Sequence, residues 1–191
     1  GLCGGFNVNL ITAAQQLAKA REAEGKTVKF LCVGRKARDA VRKSSWELLD
    51  AFPDVMGSFN FQLAAHLGNR ISQMYISGEA DEVHLVYSEF VSMSRQVATP
   101  MPLLPVVPAA AQNEEDASGA TEYVYEPKVE VLLCELLPRY VNVQIYRGLL
   151  DTSASENAAR MAAMDNATRN CDELIESLTL RYNKTRQASI T

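Results

Sequence analysis

The chain offers few side chains that could do chemistry. They include two histidines. His66 lies in a segment with a helical pattern and His84 in one with a strand pattern. Neither forms an obvious pair with a nucleophile, and a lone histidine is more often a packed or surface residue than a catalyst. The histidines therefore give no support for a catalytic pair.

Several hydroxyl groups follow His84 along the chain. Ser88 stands beside Glu89, and Ser92 and Ser94 come shortly after. A serine hydrolase of the common α/β type presents its nucleophile in a GxSxG turn, and none of these serines has that surrounding. Hydrolysis by a serine nucleophile is therefore a weak hypothesis.

The first residues place Gly1, Gly4 and Gly5 ahead of a predicted helix. Glycines let a backbone approach phosphate closely, and helix N-termini attract anions, so the turn could hold a nucleotide. The turn lacks GxGxxG spacing, however, and no Lys-Ser or Lys-Thr pair follows its last glycine. A tight strand-to-helix turn is the simpler interpretation, and a dinucleotide-binding α/β enzyme is an alternative.

The cysteines do not suggest a metal site. Cys3, Cys32, Cys134 and Cys171 are spread without a CxxC pair. Together with only two histidines, they offer little material for zinc. We expect four ordinary thiols, with no metal, no cofactor and no catalytic residue.

Composition limits the class of protein. The 191 residues are 47% hydrophobic and 22% charged, which suits one globular core. The net charge of -4 argues against a dedicated nucleic-acid binder, which needs a clustered excess of Lys and Arg. No apolar run approaches the roughly 18 to 20 residues of a membrane helix, so we expect no transmembrane segment.

Up to about residue 127, short apolar runs alternate with helical stretches. This layout predicts an α/β fold, a Rossmann-like and mostly parallel sheet flanked by helices. The expected elements are a helix capped by Asn7 or Asn9 and ended by Gly25, a strand at 28–33, a basic helix at 35–43, a helix capped by Ser58 and ended by Gly78, a strand at 83–90, a proline-rich edge segment at 97–107 and a short strand at 123–126.

From residue 128 the composition changes, and beyond Gly148 neither Gly nor Pro occurs again. We therefore divide the chain into an α/β domain, residues 1–127, and a helical segment, residues 128–191. Forty-odd helical residues would reach roughly 60 Å, too far to lie on a small domain. Apolar residues along this helix recur about every 3.5 positions, the period of a coiled-coil seam. They are Met161, Met164, Ala167, Cys171, Leu174, Leu178 and Tyr182.

A seam needs a partner helix, and no other segment of the chain is long enough to be one. The partner is either another chain or a part of the protein that precedes Gly1. A cytosolic scaffold that dimerises through the long helix is a second alternative.

Four stretches of sequence resemble one known family. They are GLCGGFN at 1–7, YVYEP at 123–127, LPRYVNVQIYRGLL at 137–150 and the run 154–191. Each is similar to the gamma subunit of rotary, F-type ATP synthases of the bacterial type, and the resemblance covers essentially the whole chain. It implies that the family's N-terminal helix and first strand precede Gly1, and that its C-terminal helix continues beyond Thr191.

The resemblance implies a rotor in the central stalk. An α/β foot would rest on the membrane c-ring, and an antiparallel two-helix coiled coil would enter the hexamer of alpha and beta subunits. The further partner is an epsilon-type regulatory subunit. Such a subunit is not itself catalytic and couples proton-driven rotation of the ring to ATP synthesis or hydrolysis. Its location is peripheral, on the cytoplasmic face of the bacterial inner membrane.

The resemblance also implies two sets of contact residues. Tyr123 and Glu126 would contact the ring or the regulatory subunit. Arg186, Gln187 and Thr191 would contact the stator, meaning the catalytic hexamer around the shaft. The local charge agrees with the second set, because the stretch from Leu178 onward contains basic residues and no acid.

Overall fold

The computed structural model describes residues 1–55, 57–106 and 129–190 and has an α/β fold with a long C-terminal helix, as the sequence predicts. Four helices and four strands occur in these ranges. In chain order they are α1 (Phe6–Ala23), β1 (Lys29–Val33), α2 (Arg35–Arg42), β2 (Glu47–Phe52), α3 (Phe61–Ile76), β3 (Val83–Ser92), β4 (Arg95–Leu104) and α4 (Val129–Ile190). The predicted strand at 123–126 lies outside the described residues.

The strands form two separate pairs. β1 pairs in parallel with β2, and β3 pairs antiparallel with β4. The sequence did not predict β2, because Glu47–Phe52 contains two acids and no β-branched residue. β4 has only β3 as a neighbour in the described sheets, which explains how it tolerates Pro100 and Pro102.

Two predicted helix caps are wrong by a few residues. α1 is capped by Gly5, not by Asn7 or Asn9. The Asn7 side chain instead donates from Nδ2 to Cys3 Sγ at 3.1 Å. α3 is capped by Asn60, not Ser58, because the extended backbone at Asn60 lets Oδ1 accept from the Leu63 amide at 3.1 Å.

The main core lies where α3, β4 and α4 meet. Its buried members are Ala64, Leu67, Leu103, Leu104, Val141, Ile145 and Leu149. Burial of each large aliphatic side chain is worth about 1.5 to 3 kcal/mol, so this cluster fixes α4 against the α/β elements.

α4 is a single helix of 62 residues. At 1.5 Å per residue it is about 93 Å long. Over residues 131–190 of α4, whose exposure the structure describes, the buried residues fall between Val141 and Ala158, and none of residues 159–190 is buried. The helix continues through Pro138 although proline removes one backbone donor. Cys134 and Pro138 are both exposed, so water can satisfy the carbonyl left without a partner.

Within the described ranges, none of the helices combines the length and the apolar character that crossing a membrane requires.

Candidate functional site

The side chains that could do chemistry are used for packing and structure. The His66 ring packs edge-on against Phe52 with centroids 5.9 Å apart. His84 Nε2 lies 3.3 Å from Glu82 Oε2. Ser88 is buried, and its backbone is held by α4. No hydrogen bond between a histidine and a serine occurs among the described residues, so the structure does not assemble the pair that hydrolysis needs.

The glycine-rich turn lies beside α4, and its Gly1, Gly4 and Gly5 are exposed to solvent. Gly4 has a φ of 54°, a conformation that favours glycine. A space of about 300 Å³ separates the turn from Ala159, Ala162 and Ala163 of α4. No Lys or Arg belongs to the described lining of this space. The site therefore lacks the cation that would balance a nucleotide phosphate.

A larger cleft of about 1370 Å³ lies between the two strand pairs, lined by α1, β1 and β3. Cys32 of β1 belongs to the lining of this cleft, and burial raises the pKa of its thiol to about 11. The thiolate form is therefore scarce at neutral pH, and Cys32 is not an activated nucleophile.

An ion cluster closes one side of this cleft. Glu82 accepts from Lys26 Nζ at 2.6 Å and lies 3.7 Å from Arg21 Nε. The hydrogen bond from Lys26, followed by that from His84, lowers the pKa of Glu82 to about 2. The cluster ties the end of α1 to the residue before β3, which is a structural role.

Groups of three or more His, Cys, Asp or Glu side chains able to hold a metal are absent from the part of the chain that the structure describes.

The predicted seam is exposed along its whole length. Met161 is 63% exposed, Leu178 53% and Tyr182 65%. The other four members, Met164, Ala167, Cys171 and Leu174, are also in the exposed class. A continuous run of uncovered apolar side chains marks a contact surface. The identity of its partner stays a prediction.

The helix end carries the predicted stator residues. Arg186 and Gln187 are exposed near the end of α4. Among the described residues, no carboxylate lies within ion-pairing distance of Arg186. Thr191, Tyr123 and Glu126 lie outside the described residues, so their assignments stay predictions.

Sequence reasoning missed the residues that anchor α4. Ser155 Oγ donates to the Ser88 carbonyl at 3.1 Å, and the Ser88 amide donates to Thr152 Oγ1 at 3.2 Å. One turn earlier, a Cβ added to Gly148 would lie 2.9 Å from Leu85 Cδ2. The small residues at 148, 152 and 155 share one helix face, and that spacing is the signal that could have revealed the contact.

The chain is similar in sequence to known proteins over its whole length. The ATP synthase family model matches residues 1–191. The ATP synthase gamma chain of Nitratidesulfovibrio vulgaris (strain Hildenborough) is 61% identical over all 191 residues, and that of Maridesulfovibrio salexigens is 54% identical. The chain spans 65% of the length of each of these relatives.

Solved structures show the same fold. The central stalk and c-ring structure of the Tetrahymena thermophila mitochondrial ATP synthase contains a chain that matches with a TM-score of 0.66 and 26% identity. The match covers 88% of this chain and 71% of that one. A rotor structure of the Euglena gracilis enzyme matches in fold with a TM-score of 0.64. The chain therefore belongs to the ATP synthase family, as one of its gamma chains.

Proposed function

We propose that this chain forms the foot and part of the shaft of the central rotor in a proton-translocating ATP synthase. The observation that carries the proposal is the structure of α4. Residues 141–158, called the root here, pack against the α/β domain, whereas residues 159–190 extend beyond it with their apolar side chains exposed. A rigid helix that leaves its domain is suited to transmit position or force.

The root supports this role because it joins helix and domain by several kinds of contact. The main core packs against Val141, Ile145 and Leu149. The hydrogen bonds of Thr152 and Ser155 add polar contacts to the backbone of β3. Rotation of the α/β domain would therefore turn α4 with it.

The exposed seam supports a coiled-coil shaft. We infer that residues 161–182 pair with a helix that precedes Gly1 in the full-length protein, which would form the antiparallel coil of the family. The cleft between β1 and β3 has room for the family's first strand, because each of these strands pairs on one edge only in the described sheets.

The partners follow from the two ends of the molecule. Arg186, Gln187 and Thr191 would contact the alpha and beta subunits of the hexamer, where a planar guanidinium can pair with a carboxylate in bidentate fashion. Tyr123 and Glu126 would contact the c-ring or the epsilon-type subunit. The complex would sit peripherally on the cytoplasmic face of the bacterial inner membrane, and this subunit itself would catalyse no reaction.

Purification of the tagged full-length protein from its native membrane tests the proposal. We expect the alpha, beta, epsilon-type and c-ring subunits to copurify in fixed proportion. Cysteine at Tyr123 or Glu126 should form crosslinks to the ring or the epsilon-type subunit, whereas cysteine at Arg186 should form crosslinks to the hexamer. Symmetric self-association without other subunits would favour a scaffold, and saturable NAD binding by the purified protein would favour a dinucleotide enzyme.

A further inference from the structure

The hairpin of β3 and β4 ends in an exposed apolar tip, defined here as residues 90–97. The rest of the two strands, residues 83–89 and 98–104, has no exposed Val, Leu, Ile, Met or aromatic side chain. The tip has four, and they lie together at one end of the hairpin. They are Phe90, Val91, Met93 and Val97. A clustered apolar surface of this kind marks a contact with another molecule.

The turn at the tip is held in shape by its own polar groups. Gln96 Nε2 donates to the Ser92 carbonyl at 3.0 Å and to the Met93 carbonyl at 2.9 Å. The Arg95 amide donates to Ser92 Oγ at 3.1 Å. These bonds fix the backbone on both sides of Met93, so its side chain stands on a preformed turn. A preformed surface loses less conformational entropy when it binds.

One cation accompanies the apolar side chains. Arg95 is exposed and is the only charged residue from 90 to 104. It forms no ion pair with any residue that the structure describes. The carboxylate of Glu89, on the neighbouring part of β3, accepts instead from Thr99 Oγ1 at 3.3 Å. Apolar side chains beside a guanidinium are complementary to an apolar protein surface that carries a carboxylate.

The tip points in the same direction as the free part of α4. Leu85 of β3 lies against Gly148 of α4. Farther along both elements, the backbone carbonyl of Ser88 accepts from Ser155. β3 therefore runs in the same sense as α4. Beyond these contacts, the start of β4 lines a small space together with residues 159–166, so the tip lies beside the point where α4 leaves the domain.

This direction indicates which partner the tip meets. In the proposed function the hexamer lies toward the free end of α4 and the ring toward its start. Arg186, the predicted stator residue, is 20 residues beyond Asn166, which is about 30 Å along the helix. The part of the hexamer nearest the foot is therefore the surface that the tip faces.

We propose that the tip is a second contact of the rotor with the catalytic hexamer, outside the shaft, and that it docks on an apolar surface that carries a carboxylate for Arg95. This inference rests on the proposed function, in which Arg186, Gln187 and Thr191 contact the hexamer. Because the tip lies to one side of α4, it contacts one sector of the hexamer at a time. The contact therefore breaks and forms again as the rotor turns.

Cysteine labelling of the full-length protein, free and in complex with the alpha and beta subunits, tests the proposal. Cys134 and Cys171 are exposed and are first replaced by serine. Three single variants follow: Met93→Cys at the tip, Arg186→Cys at the predicted shaft contact and Val131→Cys as the matched control. Met93 and Val131 are 51% and 52% exposed, and Val131 is near the start of α4. Alkylation by iodoacetamide is measured without turnover, and each rate in the complex is divided by the rate in the free protein.

We expect labelling at 93 and at 186 to slow roughly tenfold or more in the complex, because a cysteine covered about 90% of the time reacts at about a tenth of its free rate. The rate at 131 should stay unchanged. Slowing at 186 without slowing at 93 would overturn the tip contact and leave the proposed function intact. Unchanged rates at both positions would overturn both.

Two further outcomes would assign the tip to another occupant and overturn the proposal. Labelling at 93 that is already slow in the free protein, relative to the same variant in denaturant, would mean that the protein's own chain covers the tip. Labelling at 93 that slows when the epsilon-type subunit alone is added would mean that this subunit covers it.

The variant Arg95→Lys tests the carboxylate. A carbodiimide joins a lysine amine to a carboxylate in contact with it, forming an amide while the reagent takes up the water that is lost. The guanidinium of the wild type does not react in this way and is the control. We expect mass spectrometry to find an amide between residue 95 and the alpha or beta subunit. Protection at 93 without this amide would overturn the assignment of a carboxylate partner.

Discussion

Gly68 of α3 and Asn142 of α4 approach so closely that a Cβ added to Gly68 would overlap Oδ1 of Asn142. Oδ1 is buried and has no hydrogen-bond partner among the described residues. The absence of a side chain at Gly68 thus sets the distance between α3 and the root of α4.

Replacement of Gly68 by alanine should lower the free energy of unfolding by about 1 to 3 kcal/mol, because an added methyl group in a packed contact forces neighbours apart. The double variant Gly68→Ala, Asn142→Ala should recover most of the loss. Urea unfolding of the full-length protein measures both. Gly57→Ala is the control, since nothing lies within 4 Å of a Cβ at Gly57. A Gly68→Ala protein as stable as the control variant would show that the two helices can separate freely.

Ser155→Ala should destabilise the protein by about 1 to 3 kcal/mol, because the substitution leaves the buried Ser88 carbonyl without its donor. Thr179→Ala is the matched control: its hydroxyl donates at 2.8 Å to Ile175 of its own exposed helix. We expect less than about 0.5 kcal/mol there. Urea unfolding again provides the values. Similar losses of stability in both variants would mean that the hydrogen bond from Ser155 to Ser88 stabilises the protein no more than one within an exposed helix.

Glu82 should make stability depend on pH in acid. Its pKa is 4.5 ordinarily and about 2 in the fold, chiefly because Lys26 donates a hydrogen bond to it. A lowered pKa means that the stabilisation is complete above about pH 4.5 and is lost as the pH falls toward 2. In urea unfolding at low salt, wild type should exceed Glu82→Gln by a constant margin from pH 7 to 5, and the margin should vanish near pH 2.

Glu79→Gln is the matched control, because it removes a nearby carboxylate that forms no ion pair among the described residues. Added salt should reduce the difference in stability between wild type and Glu82→Gln, because the ion cluster around Glu82 is exposed to solvent. A difference in stability between wild type and Glu82→Gln that grows as the pH falls would contradict the lowered pKa of Glu82.

Arg186→Glu should lower ATP synthesis by the assembled complex severalfold while the foot still binds the ring. Loss of one partner of a desolvated interfacial pair costs about 2 to 5 kcal/mol, against at most about 1 for an exposed pair. Arg169→Glu is the control, since Arg169 pairs with Asp165 of its own helix at 3.1 Å. Synthesis and copurification of ring subunits are measured for both variants. Equal synthesis rates in wild type and Arg186→Glu would remove Arg186 from the stator contact.

Local sequence signals predicted most of the elements and few of their contacts. The continuous apolar run of β1 and the glycines that follow α1 and α3 predicted those elements correctly, and Gly25 and Gly78 both have positive φ. β2 escaped prediction because its pairing with β1, and not its residue types, makes it a strand. Asn60 was missed as a cap because Ser58, two residues earlier, is an equally good capping type.

The same distinction between local signals and distant contacts applies to the residues of α4. Helical periodicity predicted the seam, since a repeat of about 3.5 residues is a local property. Ser155 and Thr152 were not predicted, because their partner Ser88 is 67 and 64 residues away in sequence. Contacts at that separation depend on the packing of whole elements, which a single sequence does not display.

The lengths of the two parts of α4 have a mechanical consequence. The buried root, residues 141–158, is about 27 Å long, and residues 159–190 extend about 48 Å beyond it. Because the free part is nearly twice as long as the root, a sideways force at its far end is balanced by contact forces on the root that are nearly twice as large. Bending of the molecule under such a load would then be concentrated at the junction near Ala158.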